Sequence, residues 1–147
     1  MEFKGTYKVR APRERLWQML LDPAALSKCI PGCQMLTPNG PDCYDALLQI
    51  GVAALKGKYR GKVTISDKRP PEQYRLRIEG SGTTGFVRGD GLLTLAEKDG
   101  KTLIEVQGTY QVGGTIASVG QRLVDVAARM LVGQFFRSVQ KQAKSHR

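Results

Sequence analysis

Few side chains in this sequence could do covalent or acid–base chemistry. The single histidine, His146, is the next-to-last residue, where chain ends fray, so no Ser-His-Asp or Cys-His arrangement can be assembled around a fixed imidazole. Triad hydrolysis is excluded. Cys29, Cys33 and Cys43 are an odd number of thiols in a chain large enough to fold without staples, which argues against a disulfide framework. The run Cys29-Ile30-Pro31-Gly32-Cys33 has no second Cys or His pair beside it, so a zinc or redox reading finds no support and the thiols read as small buried hydrophobes. The thirteen carboxylates fall mostly in turns or among charged strand residues, and none pairs as acid and base within the apolar set. The sequence shows no metal-ligand cluster, and no cofactor is expected. The glycine-rich residues 80–89 lack the Lys-Ser/Thr ending of a phosphate-binding loop and join strand to strand. Two tyrosines remain, Tyr59 and Tyr110. Their hydroxyls could orient a ligand carbonyl, or could equally serve as core hydroxyls with protein partners.

So little chemistry turns attention to the elements that would hold these residues. A chain of 147 residues fits one domain, residues 1–147, and can bury about 68–70% of its unfolded surface, enough for a core or a lined cavity. No apolar run approaches the roughly 18 residues that span a bilayer. Residues 1–7 alternate like a strand instead of forming the apolar centre of a signal peptide, so a cytoplasmic protein is expected. The formal charge of +10 suits a polyanionic partner, a nucleic acid or an anionic membrane surface. A single-strand reader would interleave aromatics with its cations, yet Tyr59 leaves the strand on the opposite side from Lys58, Arg60 and Lys62. Nucleic acid is therefore not expected, and the charge run reads as a solvated or membrane-facing sheet face.

Residues 2–10 alternate with Phe3, Gly5, Tyr7 and Val9 on one side, the pattern of a half-buried strand. Pro12 suits the first position of a short helix carrying Leu16, Trp17, Leu20 and Leu21, which Asp22-Pro23 ends. Residues 24–30 suit a second short helix, stopped by Pro31-Gly32. From Cys33 to about Val112 the pattern is an antiparallel meander broken at residues 38–42, 69–72 and 98–100. Its apolar sets include Ala46, Leu48, Ile50 and Val52; Tyr59, Gly61, Val63 and Ile65; Tyr74, Leu76 and Ile78; and Ile104, Val106, Tyr110 and Val112. Glycines within these strands, at about 0.5–1 kcal/mol each relative to alanine, make sense in a strongly bent sheet, where they permit coiling and leave space on the inner face. After Gly113-Gly114 a helix of about 30 residues, roughly 45 Å, is predicted to about Ser145. Its first half puts Ile116, Val119, Leu123, Ala127, Met130 and Leu131 toward the concave face, with Gln121, Arg122, Asp125 and Arg129 opposite. Val132, Phe135, Phe136 and Val139 centre about 120° around the helix. The helix bends at Gly133 or packs its end on the short helices, or these residues form, with Arg137, Lys141, Lys144 and Arg147, a membrane-contacting patch.

The order strand, two short helices, six-stranded meander and long C-terminal helix is the α+β helix-grip arrangement, with about seven antiparallel strands wrapped on the last helix. The runs Cys29-Ile30-Pro31-Gly32-Cys33, Gly57-Lys58-Tyr59-Arg60-Gly61-Lys62-Val63, Pro70-Pro71-Glu72-Gln73-Tyr74, Gly80-Ser81-Gly82 with Gly85-Phe86, Val112-Gly113-Gly114, Gly120-Gln121-Arg122-Leu123 and Phe135-Phe136 resemble the CoxG family of carbon monoxide dehydrogenase subunits, within the START-like, SRPBCC superfamily. The resemblance covers nearly the whole chain. It implies a cavity for a hydrophobic ligand, a quinone or another isoprenoid or lipid, and an accessory role beside a molybdenum hydroxylase of the carbon monoxide dehydrogenase type, recruiting it to the membrane or delivering quinone to it. Some members carry a longer C-terminal extension. With Arg147 as the last residue here, transient contact at the inner face of the membrane or quinone shuttling is expected in place of stable anchoring.

The expected ligand-binding residues are Leu48, Ile50, Val52, Tyr59, Val63, Leu76, Ile78, Phe86, Val106, Tyr110, Leu123, Ala127 and Met130, burying apolar ligand surface at about 25 cal/mol per Å². Lys58, Arg60, Lys62, Phe135, Phe136, Arg137 and Lys141 are the expected membrane or partner contacts. Two other readings stand beside this non-enzymatic carrier. One is a docking module with a filled core and a basic surface; the other is a cyclase- or hydrolase-like enzyme, for which only the tyrosines could act.

Overall fold

A computed structural model describes residues 1–52 and 55–145; His146 and Arg147, considered above, lie outside the described residues. Seven strands, β1 (Glu2–Val9), β2 (Cys33–Pro38), β3 (Cys43–Ile50), β4 (Gly57–Arg69), β5 (Gln73–Gly82), β6 (Gly85–Lys98) and β7 (Lys101–Gly113), form one sheet. The order is β1-β7-β6-β5-β4-β3-β2, and every described pairing is antiparallel. The meander is thus closed on one side by the N-terminal strand. Two short helices, α1 (Arg13–Leu20) and α2 (Pro23–Cys29), follow β1, and α3 (Gln121–Ser145) ends the chain. This is the expected helix-grip fold.

The tight hairpins explain the register. Asp99 and Gly100 both have positive φ in the two-residue connection between Lys98 and Lys101, the turn that an Asp-Gly pair favours because its twist matches that of the flanking strands. Gly82 pairs with Gly85 across the two residues Thr83-Thr84. At Gly108 a Cβ would run into the Asp90 carbonyl and stand 2.6 Å from Gly91 Cα, so β6 and β7 can approach this closely only without a side chain there.

Boundaries differ from expectation in three places. Pro12 is extended (φ −63°, ψ 147°) and precedes the first helical residue, Arg13. Pro23 opens α2, because Asp22 caps it by accepting from the Ala24 N–H at 3.1 Å; a proline in the first turn leaves no donor unmet. The final helix is split: residues Gly114–Val119 form a 3-10 segment and Gly120, at φ 104°, separates it from the 25-residue α3. The continuous helix is therefore about 37 Å long.

Two packed clusters form the core. Leu16, Trp17 and Leu20 of α1 and Leu26 of α2 meet Tyr74, Leu93, Leu95 and Ile104 of the sheet and Phe136, Val139 and Ala143 of α3. The second half of α3 thus packs on the short helices. Phe136 is 5% exposed, stacked on Tyr7 at 4.4 Å and edge-on to Phe135 at 5.0 Å, so it is corrected from a membrane contact to a core residue. The second cluster joins Phe3, Ile50, Tyr59 and Tyr110 to Ile116, Val124 and Ala127.

Candidate ligand-binding site

Strand register assigns the concave face. Val63 pairs with Ile78, Ile78 with Gly89, and Gly89 with Tyr110; directly opposed residues share a face. Gly61, Gly80, Gly89, Gly91 and Gly108 therefore all belong to the concave side. Ile78, set among them, keeps 44% of its surface uncovered. At Gly80 an added Cβ would stand in open space, whereas at Gly61, Gly91 and Gly108 the neighbouring backbone already occupies it.

Beside this face, α3 and the end of β3 form an apolar groove of about 680 Å³, within the range of small-molecule sites. Pro31, Gly32, Ile50, Gly51 and Val52 line one side, and Val119, Leu123, Val126, Ala127, Met130 and Leu131 form the helical wall. Leu123, Val126 and Met130 are 55%, 50% and 49% exposed. A row of half-open apolar side chains is costly in water unless something covers it. The helix is held in this orientation by its other flank. Tyr110 Oη donates to Asp125 Oδ1 at 3.1 Å, and Arg129 donates from Nε to Asp125 Oδ2 at 3.1 Å and from Nη1 to the Lys4 carbonyl at 3.0 Å. The Arg129 guanidinium also lies 5.0 Å from the Phe3 ring centre. Asp125 and Arg129, expected on the far side, instead tie α3 to β1 and β7. That rotation turns Leu123 and Met130 away from the core, while Val124 and Ala127 face the sheet.

Five of the expected ligand residues, Ile50, Val52, Leu123, Ala127 and Met130, line the groove. Val63, Leu76 and Val106 are partly buried on the core clusters and Leu48 packs on the second. Phe86 is corrected: it leaves β6 on the same side as Arg88, whose guanidinium is 5.8 Å from its ring centre, and opposite to Gly89. The two-residue Thr83-Thr84 turn sets that parity. Both tyrosine hydroxyl protons are already committed. Tyr59 Oη donates to the Leu55 carbonyl at 2.8 Å, with Thr84 Oγ1 3.2 Å away, and Tyr110 is engaged with Asp125. Burial, then the hydrogen bond to Asp125 and its charge, push the Tyr110 phenol up to about 12. Neither hydroxyl proton is free to orient a ligand carbonyl. Burial also raises the Cys29 and Cys33 thiols, which keeps them protonated and poorly nucleophilic.

Val126, Gln134, Pro31, Gly32 and Gly51 were not expected at a site. Val119, Leu123, Val126 and Met130 do recur at helical spacing, so the signal for Val126 was present in the pattern. The turn residues gave none, because their place opposite α3 is a tertiary fact.

A second, polar depression of about 480 Å³ adjoins the groove and shares Pro31, Gly32 and Gln134 with it. Lys28, Arg137 and Lys141 border it, with Ser27 and Ser138. On the convex face, Lys58, Arg60 and Lys62 are exposed, and a shallow hollow of about 380 Å³ lies between Arg60, Lys62, Glu79, Phe86 and Arg88. Arg77 and Asp90 form an ion pair there at 2.8 Å. Among the described residues, no group of three or more acidic, His or Cys side chains is placed to hold a metal ion, and no helix is long and apolar enough to cross a membrane.

The family model for CoxG, a subunit of carbon monoxide dehydrogenase, matches residues 5–144. No curated protein matches the chain. Among solved structures, a conserved protein from Geobacillus kaustophilus is 38% identical, with 99% of this chain and 96% of that one covered and a TM-score of 0.95. Protein Ms6760 from Mycobacterium smegmatis is 18% identical (99% and 92% covered, TM-score 0.75). A START superfamily protein from the same organism is 13% identical (99% of each chain covered, TM-score 0.74); these last two bear on the fold alone. With the sheet wrapped on α3, the meander order and a family match over nearly the whole length, the chain belongs to the CoxG family of carbon monoxide dehydrogenase subunits, on a START-like helix-grip fold.

Proposed function

We propose that this protein is a non-enzymatic carrier for a hydrophobic small molecule of the quinone, isoprenoid or lipid kind, working beside a molybdenum hydroxylase of the carbon monoxide dehydrogenase type. The observation that carries this reading is the apolar groove whose helical wall leaves Leu123, Val126 and Met130 about half exposed. Covering that row with an apolar ligand is favourable by about 25 cal/mol per Å². The family description supports the enzyme partner. The protonated thiols and committed tyrosines favour binding over catalysis, since no activated nucleophile or base faces the groove among the described residues. Lys58, Arg60 and Lys62, exposed on the convex face, suit peripheral contact with an anionic membrane surface.

Protein purified from a membrane-containing lysate is expected to carry an apolar molecule at one per chain, seen by native mass spectrometry and recovered by organic extraction. Protein that arrives empty and takes up neither quinone analogues nor fatty-chain ligands overturns the carrier. The convex face, with its basic residues around Phe86, favours a second reading for that outcome: a module that docks an acidic enzyme surface.

A further inference from the structure

We infer that the ligand is an anionic amphiphile, its apolar chain in the groove between α3 and β3 and its anionic head in the basic depression at the groove's end. The inference rests on the carrier reading and names the ligand's chemical class. One flank of α3 changes character along its length: Leu123, Val126 and Met130 are followed by Gln134 and then by Arg137 and Lys141. From Leu123 to Arg137 the helix advances about 21 Å, so the apolar and cationic parts are a chain's length apart on one continuous surface. Pro31, Gly32 and Gln134 belong to both hollows, so the two adjoin along α3.

Charge then selects the head group. Lys28 enters from the end of α2, while Arg137 and Lys141 lie one turn apart on α3. Among the described residues no carboxylate lines either hollow. Gathering like charges around a concave surface raises its potential and favours an anion there. Arg137 Nη1 lies back over Gly133, 3.6 Å from where a Cβ would stand, so the guanidinium follows the helix toward the groove. Ser138 of the depression can add a hydroxyl donor to a carboxylate or phosphate, whereas the Ser27 hydroxyl already donates to the Ala24 carbonyl at 2.9 Å. A purely neutral apolar ligand would leave this end of the surface unmatched.

The test compares dodecyl phosphate, dodecanoate, dodecanol and inorganic phosphate in titrations of the intact protein and of the Lys28→Gln/Arg137→Gln double variant, with Met130→Trp as a second variant. Both anionic dodecyl ligands are expected to bind at least about tenfold tighter than dodecanol, the scale of one charge-assisted contact. The double variant is expected to erase that difference while leaving dodecanol binding in place, and Met130→Trp is expected to weaken all three chain-bearing ligands. Equal binding of dodecanol and the anions, unchanged in the double variant, overturns the anionic head and leaves the carrier standing. Inorganic phosphate binding as tightly as dodecyl phosphate overturns the inference in favour of a free-anion site. If no chain-bearing ligand binds while the protein remains folded, the carrier reading fails along with it.

Discussion

Tyr110 shows what a single hydroxyl does in this molecule. Buried on the concave face, it donates to Asp125, which is also held by Arg129, so the phenol is part of the tie between helix and sheet. Its proton is held up to about pH 12, against an ordinary value of 10.0. In the unfolded chain the proton leaves near 10, so between these values the folded state binds more protons and stability falls with rising pH. The contribution is whole below pH 10 and is lost as pH climbs through about 12. Raising pH from about 9 to about 11.5 is therefore expected to lower the urea midpoint of the wild type more than that of Tyr110→Phe. At neutral pH that variant is expected to lose about 1–2 kcal/mol. Tyr59→Phe, which removes a bond to the Leu55 carbonyl, is expected to cost about 1 kcal/mol in denaturant unfolding and to leave uptake of an apolar ligand unchanged. A drop in affinity without a drop in stability would restore Tyr59 to the binding surface.

At the scale of elements, α3 divides into a half that secures the fold and a half that borders the groove. Phe136, Val139 and Ala143 are buried against α1, α2 and Tyr7, whereas Leu123, Val126 and Met130 are half open. Truncation separates them. Phe136→Ala is expected to cost about 3–5 kcal/mol by chemical denaturation, the range for a buried aromatic, and Met130→Ala less than about 1 kcal/mol, as for partly exposed positions. The same logic reaches the sheet at Gly108, where Gly108→Ala drives a methyl into the Asp90 carbonyl. Separation of β6 from β7 would follow, seen as a lowered melting temperature and faster amide exchange in both strands.

For the whole molecule, the sheet, its wrapped helix and the clamp at Asp125 combine to leave one long side of α3 partly uncovered. Filling that space tests it without disturbing the core. Met130→Trp is expected to abolish uptake of a quinone analogue or fatty chain, read by loss of the ligand-bound species in native mass spectra, while changing stability by less than about 1 kcal/mol. A bound fraction that survives would move the ligand elsewhere, with the glycine-rich surface around Ile78 as the next place to probe.

The strand alternations, the proline and glycine breaks and the change of period after Gly114 were enough to determine the seven-stranded helix-grip fold, because each is a local signal that agrees with its neighbours. What sequence alone did not determine was orientation. A helix with two apolar stripes has no intrinsic reason to bury one of them, and its rotation goes with Val124 and Ala127 buried in the second cluster and with Asp125 and Arg129 reaching Tyr110 and Lys4 from far along the chain. Phe86 went to the convex face because a two-residue turn set its parity, Phe136 went into the core because Tyr7 lay opposite, and Pro31 and Gly32 joined the groove because α3 passes beside them. Periodicity reports which residues share a face; only tertiary contacts decide what that face meets.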